Sequence, residues 1–190
     1  TLCEHGKGVS CSVTLSVRDH DNVTTPGGEG DVVPGSEAGG FVPDVEAIAR
    51  ASYPKTEALI LNNPNNPTGV IYPAELLKKL SDVLVEKGKE YGTVIYVVSD
   101  EPYRELAYDG VEVPWMPNCM ENCIVGYSWS KSLSLPGERI GYLVIPGDIA
   151  EGQLIFAASV VATRMLGFVN GPTLMQLVVA RCLNESTAID

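Results

Sequence analysis

With 190 residues, 45% of them apolar and 19% charged, the chain has the size and balance of one globular domain able to bury a core. A formal charge of −11 and a pI near 4.6 exclude the basic face that nucleic acid or an anionic membrane surface needs, which leaves small molecules and proteins as partners. No apolar run reaches the roughly 20 residues of a membrane span, and no basic flank followed by an apolar core opens the chain, so the expected location is the cytoplasm.

From Thr1 to about Gly40 the sequence is rich in Gly, Ser, Thr and Asp. Pro26-Gly27-Gly28 and Val33-Pro34-Gly35 are turn formers, and only short pieces such as Val13 to Val17 resemble strands. Residues 1–26 are therefore expected to pack poorly against the rest. Beyond Pro43 helices and strands alternate. Val45, Ile48 and Ala49 make a short apolar face, and Ala58 to Leu61 a small apolar run that ends in an Asn/Pro loop. Pro73 suits the first turn of the next helix, whose stripe is Leu76, Leu77, Leu80, Val83 and Leu84, with Lys78, Lys79, Asp82 and Glu86 opposite and Gly88 as its expected end. Thr93 to Val98, Ile124 to Trp129 and Ile140 to Ile145 are continuous apolar runs of the kind that form strands buried on both faces. Two further helices are expected around Gln153 to Met165 and Pro172 to Leu183, followed by a polar tail over 184–190. Strands separated by helices predict a three-layer α/β/α sheet.

The five cysteines, Cys3, Cys11, Cys119, Cys123 and Cys182, are an odd set without a dense framework and read as free thiols. Cys119 and Cys123 lack a second cysteine pair, and His5 and His20 are far away in sequence, so no metal site is expected.

In an open α/β sheet ligands bind beyond the carboxyl ends of the strands. Three such ends are unusually polar: Asn62-Asn63-Pro64-Asn65-Asn66-Pro67-Thr68-Gly69, then Ser99-Asp100-Glu101-Pro102-Tyr103, then Ser128-Trp129-Ser130-Lys131 running on to Pro136-Gly137-Glu138-Arg139. Singly, each has a plain explanation as a turn, a helix cap or a solvated lysine. In this order, N-P-x-N-P-T-G, D-x-x-Y and S-x-S-K-x-x-x-x-P-G-x-R resemble the motifs of pyridoxal-phosphate (PLP) enzymes of fold type I, aminotransferase class I/II. Gly27-Gly28 and Gly40-Phe41-Val42-Pro43-Asp44 extend the likeness, which runs to about Cys182.

The resemblance implies part of the mixed, mostly parallel large-domain sheet over residues 27–183, and transamination between an amino acid and a 2-oxo acid, with a homodimer as the usual assembly. It implies that Lys131 forms a Schiff base with PLP and moves protons at the substrate's α-carbon. It further implies that Asp100 faces the pyridine nitrogen, that Tyr103 and Asn66 bond the ring's phenolic oxygen, and that Ser128, Ser130 and Arg139 hold the phosphate. The phosphate loop expected upstream and the small domain with a carboxylate-binding arginine expected downstream are not recognised in these residues. Impaired turnover follows as an expectation, with an inactive fragment, a C–S lyase or a decarboxylase as alternatives. Ser128 to Lys131 also satisfies S-x-x-K, but the S-D-N and K-T-G partners of a serine acylase do not occur.

Overall fold

The computed structural model describes residues 8–12, 29–33 and 35–183. In chain order the elements are β1 (Gly8–Ser12), β2 (Glu29–Val33), α1 (Val45–Ala51), β3 (Thr56–Asn62), α2 (Ala74–Tyr91), β4 (Tyr96–Asp100), β5 (Cys123–Ser128), β6 (Gly141–Val144), α3 (Gly152–Met165) and α4 (Thr173–Cys182). The described strands form one sheet in the order β2-β1-β3-β4-β5-β6. All pairings are parallel except that of β5 with β6.

Strand alternation sorts the side chains of this sheet. Leu59, Leu61, Val97, Cys123 and Val125 turn to the face covered by α1 and α2, where they pack with Ile48, Leu77, Leu80 and Leu84. Asp44 starts α1 by accepting a hydrogen bond from the Ala47 N–H at 2.9 Å. Of the stripe read from the sequence, Leu77, Leu80 and Leu84 are buried, with Leu76 and Val83 half-buried at its margins and Ser81 and Gly88 completing the buried edge of α2. Each fully buried leucine contributes about 1.5–3 kcal/mol of transfer energy, so this face is where the core lies. Asp100, Gly126 and Ser128 point the other way, into a cavity of about 530 Å³ that they line with Phe156, Ser159 and Thr163 of α3. Helices therefore stand on both faces of a mostly parallel mixed sheet, the expected three-layer α/β class. The α3 side is thinner, with Leu154, Phe156 and Val161 all more than half exposed.

Several expectations meet a different outcome. Most of residues 1–26 lie outside the described residues, as do residues 184–190, but the described part, Gly8–Ser12, pairs with β2 on one side and β3 on the other. A segment read as poorly packed thus contributes an interior strand, because pairing on both edges does not require a periodic apolar sequence. Thr93 to Ile95 belong to the connection, and β4 begins at Tyr96.

Gly88 does not end α2. The helix continues to Tyr91 and stops at Gly92, whose φ of 69° is the left-handed conformation that glycine adopts without cost. Gly88 is glycine for another reason: a Cβ there would lie 2.7 Å from the backbone oxygen of Thr93, in the turn that closes the helix. Gly88→Ala is expected to destabilise the protein. The gain in helix propensity is about 1 kcal/mol, while overpacking against a backbone atom costs about 1–3 kcal/mol. A lower urea midpoint than wild type checks this, and a higher one would show that the Thr93 turn yields freely.

Candidate functional site

The parallel register places the carboxyl ends of three strands side by side. Asn62 of β3 is opposite Asp100 of β4, and Asp100 is opposite Gly126 of β5. Loops leaving these ends must bond their own polar groups, and the local sequence does this with amides and hydroxyls.

In the first loop Asn63 and Asn65 are buried and structural. The Asn63 carboxamide oxygen accepts from the Tyr72 N–H at 2.8 Å, and that of Asn65 accepts from the Thr68 hydroxyl at 2.7 Å. Both Asn–Pro bonds, Asn63–Pro64 and Asn66–Pro67, are cis. Asn66 is exposed at the tip, and its Nδ2 donates to the Tyr103 hydroxyl at 2.9 Å.

The second loop is held by an ion pair. Glu101, fully buried, accepts from the Ser99 hydroxyl at 2.8 Å and from Arg104 Nη1 at 2.7 Å. Burial raises the Glu101 pKa, while Ser99 and Arg104 oppose the rise. Arg104 also donates to the carbonyls of Pro114 at 3.0 Å and Val113 at 2.9 Å, and its guanidinium lies 5.3 Å over the Trp115 ring. Tyr103 sits between the two halves of this clamp.

The third segment is a closed loop. Ser128 is opposite Gly141, and the Trp129 N–H donates to Ile140 O at 3.2 Å, so residues 130–139 leave and return at one point. Only glycine fits at 141, since a Cβ there would overlap the Tyr127 carbonyl oxygen. The Tyr127 hydroxyl lies 2.7 Å from Ser132 Oγ, next to Lys131, and burial pushes its pKa up to about 12, which keeps it a neutral hydroxyl. The Tyr127 ring stacks on Tyr142 at 5.1 Å and meets Trp129 edge-on at 5.6 Å.

On this frame the sequence-predicted residues take the following positions. Lys131 Nζ is 5.4 Å from the centre of the Tyr103 ring, so Asn66, Tyr103 and Lys131 form one contact chain. Asp100 and Ser128 line the cavity beneath α3, and the Ser128 hydroxyl donates to that of Ser130 at 3.1 Å. Arg139 is the residue least engaged with the others. It is exposed, adopts a left-handed φ of 51°, and donates from Nη1 to Pro136 O at 3.0 Å. The left-handed conformation costs an L-residue roughly 1–2 kcal/mol.

Three features escaped the sequence reading. Asn62 bonds both Asn66 and Asp100, an arrangement that depends on the β3/β4 register. The Tyr127–Ser132 contact depends on the return of the closed loop. The Glu101–Arg104 pair carried a signal, an acid and a base three residues apart, but nothing in the spacing says that it is buried. Cys119, Cys123 and Cys182 are free thiols, and burial pushes Cys123 up to about 12. Among the described residues no group of three or more His, Cys, Asp or Glu side chains could hold a metal ion, and no helix is long and apolar enough to cross a membrane.

The arrangement combines a primary amine, a phenol bonded to an amide, a carboxylate and paired hydroxyls at the ends of adjacent strands. The profile of the family described as "Aminotransferase class I and II" matches residues 20–190. The aspartate aminotransferase of Geobacillus stearothermophilus is 34% identical over 161 residues, which are 83% of this chain and 39% of that protein. Among solved structures, an aminotransferase from Eubacterium rectale superposes with a TM-score of 0.87 at 39% identity, covering 92% of this chain and 44% of the other. The Thermus thermophilus aspartate aminotransferase with maleate gives 0.73 at 32% identity, covering 86% and 40%. The chain spans less than half the length of each of these relatives.

Proposed function

Because the chain belongs to the class I and II aminotransferases, we propose that its strand ends hold pyridoxal phosphate and move an amino group between an amino acid and a 2-oxo acid. When bound, pyridoxal phosphate supplies an electron sink that draws charge from the substrate's α-carbon. Lys131 would hold the cofactor through its amine at the aldehyde carbon, with water as the leaving group, and would otherwise carry the proton taken from the substrate's α-carbon. Asp100 holds the proton on the pyridine nitrogen. Tyr103 and Asn66 bond the ring oxygen. The hydroxyls of Ser128 and Ser130 and the fork of Arg139 hold the phosphate. Arg139 gives one nitrogen to Pro136 O, and its other donors remain for that purpose.

The observation that carries this reading is the contact chain from Asn66 through Tyr103 to Lys131. Three residues far apart in sequence meet there with the donors and the amine that this cofactor's ring oxygen and aldehyde require. The relatives named above are aminotransferases, which favours transamination over a C–S lyase or a decarboxylase. On the same reading the cofactor-binding domain takes in Gly8–Ser12 together with residues 27–183, and the assembly is a cytoplasmic homodimer.

The test is a half-reaction. Purified protein loaded with pyridoxal phosphate is mixed with aspartate or with tyrosine, and release of the matching 2-oxo acid is measured. About one equivalent per bound cofactor is expected from one of them. Release of ammonia or carbon dioxide instead, or no 2-oxo acid from a loaded protein across the common amino acids, would overturn transamination.

A further inference from the structure

Asn62 lies just outside the N-P-x-N-P-T-G motif and has no role in the site described so far, yet it touches two of that site's members. Its Oδ1 accepts from the Asn66 N–H at 2.6 Å. Its Nδ2 donates to the Asp100 backbone oxygen at 2.9 Å and lies 3.4 Å from the Asp100 carboxylate Oδ2. These bonds settle which way the amide points. An N–H can be met only by the carboxamide oxygen, so the NH₂ group must face Asp100. A flipped amide would set donor against donor at Asn66 and oxygen against oxygen at Asp100.

We propose that Asn62 is a positioning residue that couples the Asn66 loop to the Asp100 carboxylate, so that the donor for the cofactor's ring oxygen and the acceptor for its ring nitrogen are held in one spacing. The inference deepens the cofactor reading above and rests on it. The two cofactor contacts are carried on different strands, and a flat ring bonded at both positions needs their separation held. Backbone pairing of β3 with β4 ends at Asn62 and Asp100. Beyond that rung Asn66 is exposed in a loop and Asp100 is exposed at its strand end. The Asn62 carboxamide extends the ladder by one side-chain rung and carries it into the loop.

Two substitutions separate the halves of the bridge. Asn62→Ala removes both bonds. Asn62→Asp keeps an oxygen for the Asn66 N–H but replaces the donor to Asp100 with a second carboxylate. In the cofactor-free protein, hydrogen exchange of the Asn66 amide is expected to quicken about tenfold or more in Asn62→Ala and to stay within about twofold of wild type in Asn62→Asp, the loss of one hydrogen bond setting the scale. The amides of β4 serve as the control for global unfolding. Pyridoxal phosphate affinity, read by absorbance titration, is expected to weaken about tenfold in both variants. Equal Asn66 exchange in wild type and Asn62→Ala, or unchanged cofactor affinity in both variants, would overturn the positioning role. A wild type with a protected Asn66 amide that takes up no pyridoxal phosphate overturns the cofactor reading itself, and the role of Asn62 with it.

Discussion

Lys131→Ala is expected to abolish covalent capture of pyridoxal phosphate, with borohydride fixing no cofactor above background where wild type fixes about one per chain. Only an amine can close the bond to the aldehyde carbon, and no other described lysine stands at the carboxyl ends of the strands. Lys78, Lys79, Lys87 and Lys89 are on α2, which covers the opposite face, and Lys87 is paired with Glu90 at 2.8 Å. Lys55 precedes β3 at the other end of the sheet. Weak, reversible binding through Ser128, Ser130 and Arg139 is expected to remain, so the variant should still retard dialysis of the cofactor. The measurement is mass spectrometry of peptides after reduction. Fixed cofactor found on Lys78 or Lys87 in both proteins would mean that the labelling is nonspecific and the assignment of Lys131 is wrong.

Asp100→Asn is expected to leave that covalent capture intact while slowing the half-reaction by roughly 10- to 100-fold. A hydrogen bond to a charged partner contributes about 1.5–3 kcal/mol, and each 1.4 kcal/mol is a factor of ten in rate. The ring nitrogen's own pKa should fall, because a neutral amide no longer favours its protonated form, and the pH titration of the bound cofactor's absorbance should move as a result. Asparagine matches aspartate in shape and still offers an oxygen to Asn62, so the strand end should survive the change. Stopped-flow rates and absorbance spectra across pH check both parts. An unmoved titration with wild-type rates would place the ring nitrogen away from Asp100.

Taken together, the two variants separate attachment from activation. A protein that loses both with Lys131→Ala and only the second with Asp100→Asn has the division of labour proposed for the site. Loss of attachment in Asp100→Asn would instead make Asp100 part of the binding frame alone.

Local features of the sequence determined much of this protein. The leucine stripe of α2, the β-branched and apolar runs of β3 to β6 and the polar loops after them are read within a few residues, because helix and strand periods and turn chemistry act over that distance. The motif order alone names Asn66, Asp100, Tyr103 and Lys131 as candidates. Tertiary structure decided the rest. Gly8–Ser12 became a strand because two neighbours offered free edges, not because its own pattern demanded it. α2 ran past Gly88 to stop at Gly92, and the turn that follows laid Thr93 against Gly88. The spacing of Glu101 and Arg104 gave no sign that Glu101 is fully buried, and Asn62 became a bridge to Asp100 only once register had set β3 beside β4 and brought residues 38 positions apart within 2.9 Å. Pairing between strands is a long-range choice made by the whole sheet, and the period of a single strand carries no record of which residue it will face.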